Sequence, residues 1–572
     1  MTAPFATVPK LLTDEPGVVA LASGSAPVVA VPESARALVV AAVGALSGRR
    51  PVLVATPTGV EAERLAHDLR AFLGDDDVAF FPAWETLPFE RVSPALETMG
   101  RRLQTMWRLR RGRDGGVDQL PRVVVAPARA LVQRLGPHVE DVEPVVVRTG
   151  DQIDRDELVE RLVAAGYRRE YQVEARGEIA VRGSIVDVYP STADHPVRID
   201  LWGDEIDRLS TFSVADQRST TDLAEAWIFP TRELLATPEV RERAERLIAR
   251  APWGREQWER LAEGQTFDGM ESWLPWLVAD EHLLPDLLPR GALVLLVEPK
   301  RLRDRAADLL DEEASLADTL ASTWDVPEGQ ELPRLSLPFD RLLAHTKAGV
   351  ASVLSAPEGP GTPLVAATAF DPVVGDVEGL ARRLNRLRDE RYRVVLAAEG
   401  QGSAQRLHDV LAEEGLDVPR RDTASLEPGT ISLVVAPLER GAVLPGARLA
   451  LVAEADLTGR RRVHRRPRGA RRGADYYDDL KPGDFVVHHQ HGVGRYAGMV
   501  ARAIGGASRD YLLIEYKGND KLYVPTDQVG LVRRYTGGDS PTLNRMGGSD
   551  WQKTRSRVRR AIAEIAADLV AL

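Results

Sequence analysis

Lysine is the residue type that would mark nucleotide hydrolysis in this chain, because a phosphate-binding loop ends in Gly-Lys-Ser/Thr. The lysine reaches the phosphates and the hydroxyl holds Mg²⁺. The 572 residues contain seven lysines, at positions 10, 300, 347, 481, 517, 521 and 553. None follows a glycine, and only Lys553 precedes a hydroxyl residue, with Gln552 before it. The sequence therefore predicts that this chain is inactive as a nucleotide hydrolase on its own.

Three histidines, His488, His489 and His491, are the other cluster that could do chemistry, by binding a metal ion. Adjacent residues of a strand point to opposite faces, so His488 and His489 would not face the same ion. The chain has no cysteine, and no second group of ligands follows the histidines. We therefore expect no metal site. The lack of cysteine also excludes a disulfide scaffold and is compatible with a reducing cytoplasm.

The elements that would position a nucleotide lie in residues 1–135. The apolar run 52–55 predicts a buried strand, and Leu65, Leu69 and Phe72 follow at helical spacing. Repeated strand and helix patterns of this kind predict an α/β domain with a parallel sheet. The loop expected to hold phosphates, residues 31–37, contains Glu33, whose charge would repel them. We interpret it as a degenerate nucleotide site.

The composition is that of an ordinary globular protein, with 44% hydrophobic and 28% charged residues. A net charge of −11 argues against a surface that binds nucleic acid as a whole, although a local basic patch is allowed. The aliphatic run 292–297 is too short to cross a membrane, and Asp14 and Glu15 interrupt the N-terminal region where a signal peptide would lie. We expect a cytoplasmic protein without a membrane segment.

Residues 167–207 predict β-strands joined by tight turns. The run from Arg176 to Pro190, with the sequence Gly-Asp-Glu-Ile-Asp at 203–207, resembles the UvrA-binding domain of UvrB, the excision-repair helicase subunit. The resemblance implies that the unit binds UvrA, largely through arginines and an aromatic residue on one face. The candidates are Arg169, Arg176, Arg182 and Tyr189. Alternatively, the arginines only solvate a sheet face and Tyr189 lies in the core.

Residues 480–534 predict a compact barrel of short strands, with alternating apolar residues and a tight turn at 517–520. The runs 483–488, 491–496 and 520–525 resemble the RNA-polymerase-interacting domain shared by the CarD regulators and the transcription-repair coupling factors. The resemblance implies a Tudor-like or SH3-like barrel that docks on the β subunit of bacterial RNA polymerase.

A strand edge with unpaired backbone groups can add to a sheet of a partner, and residues 498–504 are the candidate edge. The predicted polymerase-binding residues are Met499, Val500, Ala501, Arg502 and Ile504. From the pattern alone, a barrel that only packs against neighbouring domains is an equal alternative.

The most basic stretch of the chain is 459–472, and a run of like charges stays extended and solvated. Arg465, Arg466 and Arg468 are candidates for weak contacts with DNA phosphates, and a flexible linker is the plainer alternative. Four tryptophans between positions 253 and 276 have no basic context. We expect them to pack helices and not to stack on bases.

Together these patterns predict an α/β multidomain protein: UvrB-like α/β layers with an inserted β-rich UvrA-binding domain, a second small α/β domain and a Tudor/SH3-like β-barrel. The expected divisions are 1–135 (UvrB-like α/β domain with the degenerate nucleotide site), 136–217 (UvrA-binding-like domain), 218–335 (remainder of the UvrB-like module), 340–456 (α/β spacer domain), 457–478 (arginine-rich linker), 479–540 (polymerase-interacting barrel) and 541–572 (start of a helix leading to a motor).

Over essentially its whole length the sequence resembles the N-terminal portion of the transcription-repair coupling factors. The amphipathic helix predicted at 551–572 stops in mid-pattern, so we expect the translocase motor of that family, with its ATP and Mg²⁺, beyond this chain. The resemblance implies transcription-coupled nucleotide excision repair by a monomer, with RNA polymerase and UvrA bound here and DNA bound mainly through the motor. The alternative function is a CarD-like regulator of transcription without a repair role.

Overall fold

The computed structural model describes residues 3–116, 120–278, 280–320, 326, 332–458, 482–488, 491–504, 507–518, 520–525, 532–535 and 541–545. The predicted DNA-contacting residues Arg465, Arg466 and Arg468, together with His489 and the whole predicted helix at 551–572, lie outside these residues. Within the described part of the chain, no helix has both the length and the apolar character needed to cross a membrane.

The first sheet has six parallel strands that are far apart in the sequence. In spatial order they are Val28–Ala30, Gly349–Leu354, Leu293–Val297, Val52–Thr56, Val123–Pro127 and Val78–Phe80. The central strand Val52–Thr56 is buried throughout, because apolar clusters cover both faces of the sheet. The helices of this unit are Pro16–Ser23, Arg36–Leu46, Gly59–Leu73, Leu96–Arg113, Ala128–Leu131, Pro299–Leu320 and Phe339–Ala344.

A β-rich unit is inserted between strands of the first sheet. Its six-stranded sheet has the order Ser219–Leu223, Glu205–Phe212, Val197–Trp202, Ile185–Val188, Glu178–Arg182 and Arg168–Arg169. Neighbouring strands are antiparallel except for the last pair. A separate ribbon pairs Val145–Arg148 with Glu225–Ile228, and the helix Arg155–Ala164 packs against the apolar face of the sheet.

A helical segment follows, with helices Pro238–Arg250, Arg255–Ala262 and Leu274–Leu277. Trp258 is fully buried at its centre, and its ring centroid lies 4.5 Å from that of Trp273 in an edge-on contact. Trp253 and Trp276 pack onto the same pair of rings. The prediction that these tryptophans pack helices is confirmed.

The second α/β unit has a sheet in the order Thr368–Ala369, Ala442–Leu444, Leu449–Ala453, Arg393–Ala398, Thr430–Val435 and Arg420–Arg421. Its helices are Val377–Asp389, Gln401–Glu413 and Glu454–Thr458. One face of this sheet contributes Leu449 and Leu451 to the same apolar cluster as Phe5 and Val8 near the N-terminus. The second unit is therefore packed onto the first through a continuous core.

The C-terminal unit is a five-stranded antiparallel sheet in the order Lys521–Pro525, Ala507–Glu515, Gly492–Ile504, Phe485–His488 and Val532–Arg534. The expected hairpin at 517–520 joins Glu515 to Lys521. Among the described residues the two outer strands do not pair with each other, so the predicted closed barrel is not found.

Two of the expected divisions differ from the structure. The β-rich unit extends beyond 217, because Ser219–Leu223 pairs with its sheet and Glu225–Ile228 pairs with Val145–Arg148. The strand Gly349–Leu354, assigned to the spacer from residue 340, pairs with Leu293–Val297 and Val28–Ala30. It therefore completes the first sheet, and the second α/β unit begins after it.

Candidate functional site

The two faces of the β-rich sheet differ in chemistry because side chains alternate along each strand. Ile179, Val186 and Ile199 point to the apolar core. On the opposite, outer face, Asp187 pairs in register with Ala180 and Arg198. Asp187 is fully buried and accepts hydrogen bonds from Arg198 Nε at 2.8 Å and Arg182 Nη2 at 2.5 Å. The hydrogen bond that Arg198 donates to Asp187 raises the pKa of Arg198 above its usual value.

The structure brings three of the four predicted UvrA-binding residues to this outer face. The Arg176 guanidinium lies 5.2 Å from the ring centroid of Tyr189, whose hydroxyl donates to the carbonyl of Asp194 at 2.8 Å. Arg182 follows Ala180 by two positions and bonds to the buried Asp187. Arg169 is exposed but pairs with Ile179, whose side chain points to the core face, so the strand pattern separates Arg169 from the other three.

Two exposed aromatic residues of this unit were not found from the sequence. Trp202 is 83% exposed and Tyr171 is 76% exposed. The signal for Trp202 was present, since Val197, Ile199 and Leu201 alternate toward the core and place residue 202 on the outer face. A large aromatic side chain in water marks a candidate contact with a partner.

The predicted polymerase-binding segment lies on the longest strand of the C-terminal sheet, Gly492–Ile504. The first part of this strand pairs with Phe485–His488 on one side, and from Arg495 onward the strand pairs with Ala507–Glu515 on the other. Beyond Tyr496, the side of this strand that faces away from Ala507–Glu515 pairs with no other strand among the described residues. Met499 is 51% exposed and Val500 is half-buried.

The backbone of Ala501, Arg502 and Ile504 belongs to the same strand, opposite Asp510, Arg509 and Ala507. All five predicted residues thus lie on one strand. An open edge of this kind is a candidate site for addition of a partner's strand.

Two of the three clustered histidines meet. The rings of His488 and His491 stack with centroids 4.8 Å apart, and the His491 amide donates to His488 Nδ1 at 3.3 Å. Burial lowers the pKa of His491, opposed by the nearby Asp268 of the helical segment. In the part of the chain that the structure describes, no group of three or more ligands is arranged to hold a metal ion.

The C-terminal sheet contacts the first α/β unit and the helical segment through apolar side chains. Tyr511 is buried in the same cluster as Trp84 and Phe89, and Val92 is buried against Tyr496 and Leu522 of the sheet. Tyr511 pairs with Val500, so this contact lies beside the strand that carries the open edge.

The second α/β unit packs over the cleft that the sequence predicts to be a degenerate nucleotide site. Arg440 of that unit forms an ion pair with Glu33 at 3.2 Å, and Glu439 forms one with Arg64 at 3.4 Å. The amide of Glu439 donates to the carboxylate of Asp68 at 3.0 Å. The cleft retains only about 80 Å³, whereas ligand pockets of nucleotide size need several hundred.

Burial raises the pKa of Asp68 to about 8, and the Glu439 carboxylate nearby acts in the same direction. The Glu439 amide and Arg64 oppose the rise. At the other side of the cleft, Thr58 and Glu61 form a reciprocal cap that starts the helix Gly59–Leu73. The turn at Thr58 therefore serves as a helix cap.

Three family models match separate parts of the chain. They describe a UvrB interaction domain at 145–234, an MFD D3 domain at 387–457, and a CarD-like/TRCF RID domain at 480–536. The chain is therefore a multidomain protein that joins a UvrB interaction domain to a polymerase-interacting type of domain. The first match also supports the extension of the β-rich unit past residue 217.

Similar curated proteins are more specific than these domain matches. The transcription-repair-coupling factor of Mycobacterium bovis is 39% identical over 582 aligned residues, which cover 95% of this chain and 47% of the relative. Those of Bacillus subtilis and Myxococcus xanthus are 31% and 32% identical, each over 91% of this chain and 46% of the relative. Over nearly its whole length the chain is thus similar to the transcription-repair-coupling factors. It spans about half the length of the curated relatives it matches.

Proposed function

We propose that this chain is the docking portion of a transcription-coupled nucleotide excision repair factor, which binds stalled bacterial RNA polymerase and recruits UvrA. The observation that carries the proposal is the presence, in one chain, of both a UvrB interaction domain and a CarD-like/TRCF RID domain. A CarD-like regulator is less favoured, because it would not account for the matches at 145–234 and 387–457.

For polymerase, we propose that the C-terminal sheet acts as a Tudor-like module that docks on the β subunit. The open edge at 498–504 supports this, because exposed amide and carbonyl groups can extend a sheet of the partner. Met499 and Val500 would supply the side-chain contacts next to that edge.

For UvrA, we propose the outer face of the β-rich sheet as the binding surface, with Arg176, Arg182 and Tyr189 as its predicted members. Arg169 stays a candidate at the edge of the same sheet. We further propose that the protein acts in the cytoplasm as a monomer, and that ATP, Mg²⁺ and most DNA contacts belong to a translocase motor outside this chain. The closed cleft beside Asp68 supports the absence of nucleotide turnover here.

The test is binding of the full chain to RNA polymerase core enzyme and, separately, to UvrA. Two variants address the edge: Ala501→Pro, which removes an amide that the alternation along the strand directs to the open edge, and Met499→Glu, which changes an exposed side chain without affecting a backbone hydrogen bond. Val500→Thr keeps every amide of the edge and is the control.

We expect both edge variants to weaken polymerase binding at least tenfold, Val500→Thr to bind like the wild type, and all three to bind UvrA normally. Equal polymerase binding by Met499→Glu and the wild type would rule out the edge. No binding of the wild-type chain to either partner would reject the docking function itself.

A further inference from the structure

The outer face of the β-rich sheet is covered over only part of its area. The loop that follows Arg168–Arg169 lies across one end, where Val173 is buried against Ala180 and Phe212 with Tyr189 beside them. The Gln217 side chain holds this loop by donating to the carbonyl of Val173 at 3.2 Å. The predicted pair Arg176 and Tyr189 therefore lies at the covered end of the face.

The other end of the same face is open and carries Trp202. This residue closes a tight hairpin with Glu205, in which Gly203 has a φ of +66°. Two positions earlier, Asp200 pairs with Ile185, and Ile185 pairs with Arg182. Residues two apart on a strand share a face and lie about 6.7 Å apart. Trp202, the half-buried Ile185 and Arg182 thus form one surface, which we call the Trp202 patch.

Two arginines next to the Trp202 patch are already paired within the chain. Arg182 bonds to the buried Asp187, and Arg208 pairs with Asp222 at 2.6 Å. Trp202 is the large apolar side chain of the patch, and 83% of it is exposed to water. Tryptophan is enriched among residues that dominate protein interfaces, where it fills an apolar pocket of the partner.

We infer that Trp202, supported by Ile185, is the apolar anchor through which the UvrB interaction domain holds UvrA. This inference rests on the proposed function, since it names a contact for the same partner. UvrA is the occupant that fits because the patch is continuous with Arg182 and lies inside the matched domain at 145–234. The partner must then offer an apolar pocket next to the site that meets the arginines.

The test measures binding of UvrA to the full chain and to Trp202→Ala, Trp202→Phe and Val163→Ala. The last is the control, an exposed apolar residue of the same unit on the helix Arg155–Ala164, which packs against the opposite face of the sheet. Because Trp202 is exposed, its replacement should leave thermal unfolding unchanged, and RNA polymerase binding provides a second check of folding. We expect Trp202→Ala to weaken UvrA binding by about 30-fold or more and Trp202→Phe to retain most of the affinity.

Salt dependence separates an apolar anchor from a charged contact. The logarithm of the UvrA affinity should fall with salt at the same slope for Trp202→Ala as for the wild type. UvrA binding by Trp202→Ala equal to that of the wild type would overturn the inference while leaving the proposed function intact. No UvrA binding by the wild type would overturn the proposed function. Concentration-dependent self-association that Trp202→Ala abolishes, with UvrA affinity unchanged, would assign the patch to a second copy of the chain and also overturn the inference.

Discussion

Replacing Asp68 by asparagine should make the junction between the two α/β units insensitive to pH. The Asp68 carboxyl keeps its proton in the folded chain up to about pH 8, because burial penalises its charged form, whereas its usual pKa is 3.8. Its contribution to stability is therefore complete below pH 3.8 and is lost progressively as the pH rises to about 8. Each pH unit in that window corresponds to about 1.4 kcal/mol, or about 4 kcal/mol between pH 5 and pH 8.

Asparagine is neutral throughout and can still accept the hydrogen bond from the Glu439 amide. The free energy of unfolding of Asp68→Asn minus that of the wild type should thus increase with pH across the window and stay constant above it. Asp68→Ala is the control, since it removes both the charge and the acceptor. It should be about 1–3 kcal/mol less stable than Asp68→Asn at every pH, because the Glu439 amide loses its partner.

Urea denaturation of the three proteins at several pH values measures these differences, which are compared between variants at one pH so that other titrations cancel. If the free energy of unfolding of Asp68→Asn minus that of the wild type did not change from about pH 5 to pH 8, the raised pKa of Asp68 would be refuted. So would a variant that becomes less stable than the wild type at the alkaline end.

Three further predictions concern a buried ion pair, a glycine with positive φ and the lack of nucleotide hydrolysis. Glu233→Ala should lower the free energy of unfolding in urea by about 3–5 kcal/mol, because it leaves the fully buried Arg102, which pairs with Glu233 at 2.6 Å, without its counter-charge. The exposed pair of Arg382 and Glu378 is the control. Arg382→Ala should change the free energy of unfolding by less than about 1 kcal/mol. Equal effects at both sites would contradict this. Gly269→Ala should lower stability by about 1–3 kcal/mol, because Gly269 has a φ of +82° and a Cβ there would collide with the carbonyl oxygen of Arg91; an unchanged melting temperature would be inconsistent with that geometry. Finally, the chain with ATP and Mg²⁺ should release no phosphate above background, because none of its lysines lies in a phosphate-binding loop. Turnover that persists after repurification would contradict this expectation.

The sequence predicts most elements of the fold but not all of their partners. The buried runs at 52–55 and 293–297 have the apolar pattern of central parallel strands, and both lie in the first sheet. The polar strand Ser219–Leu223 has no such pattern, because it forms an edge whose side chains face water. Sequence also cannot show that Gly349–Leu354 returns to the first sheet, since this pairing is set by tertiary packing.

The candidate sites, like the fold, could be predicted from the sequence only in part. The patterns that carry the family resemblance locate both matched units, and the predicted residues around Val500 all lie on one strand. Arg169 is separated from its predicted partners because the short strand Arg168–Arg169 pairs in parallel, a register that no local pattern specifies. Trp202 could have been found from the alternation of Val197, Ile199 and Leu201, which leaves residue 202 on the outer face.

The order of strands in the first sheet also bears on how the chain folds during synthesis. Val28–Ala30 pairs with Gly349–Leu354, so the sheet cannot close until the ribosome has released the latter segment. The strands from Glu178 to Leu223, in contrast, are joined mainly by short local connections and form contacts soon after they emerge. We therefore expect the β-rich unit to fold first, while the scaffold that will hold it still exposes its apolar strands to chaperones.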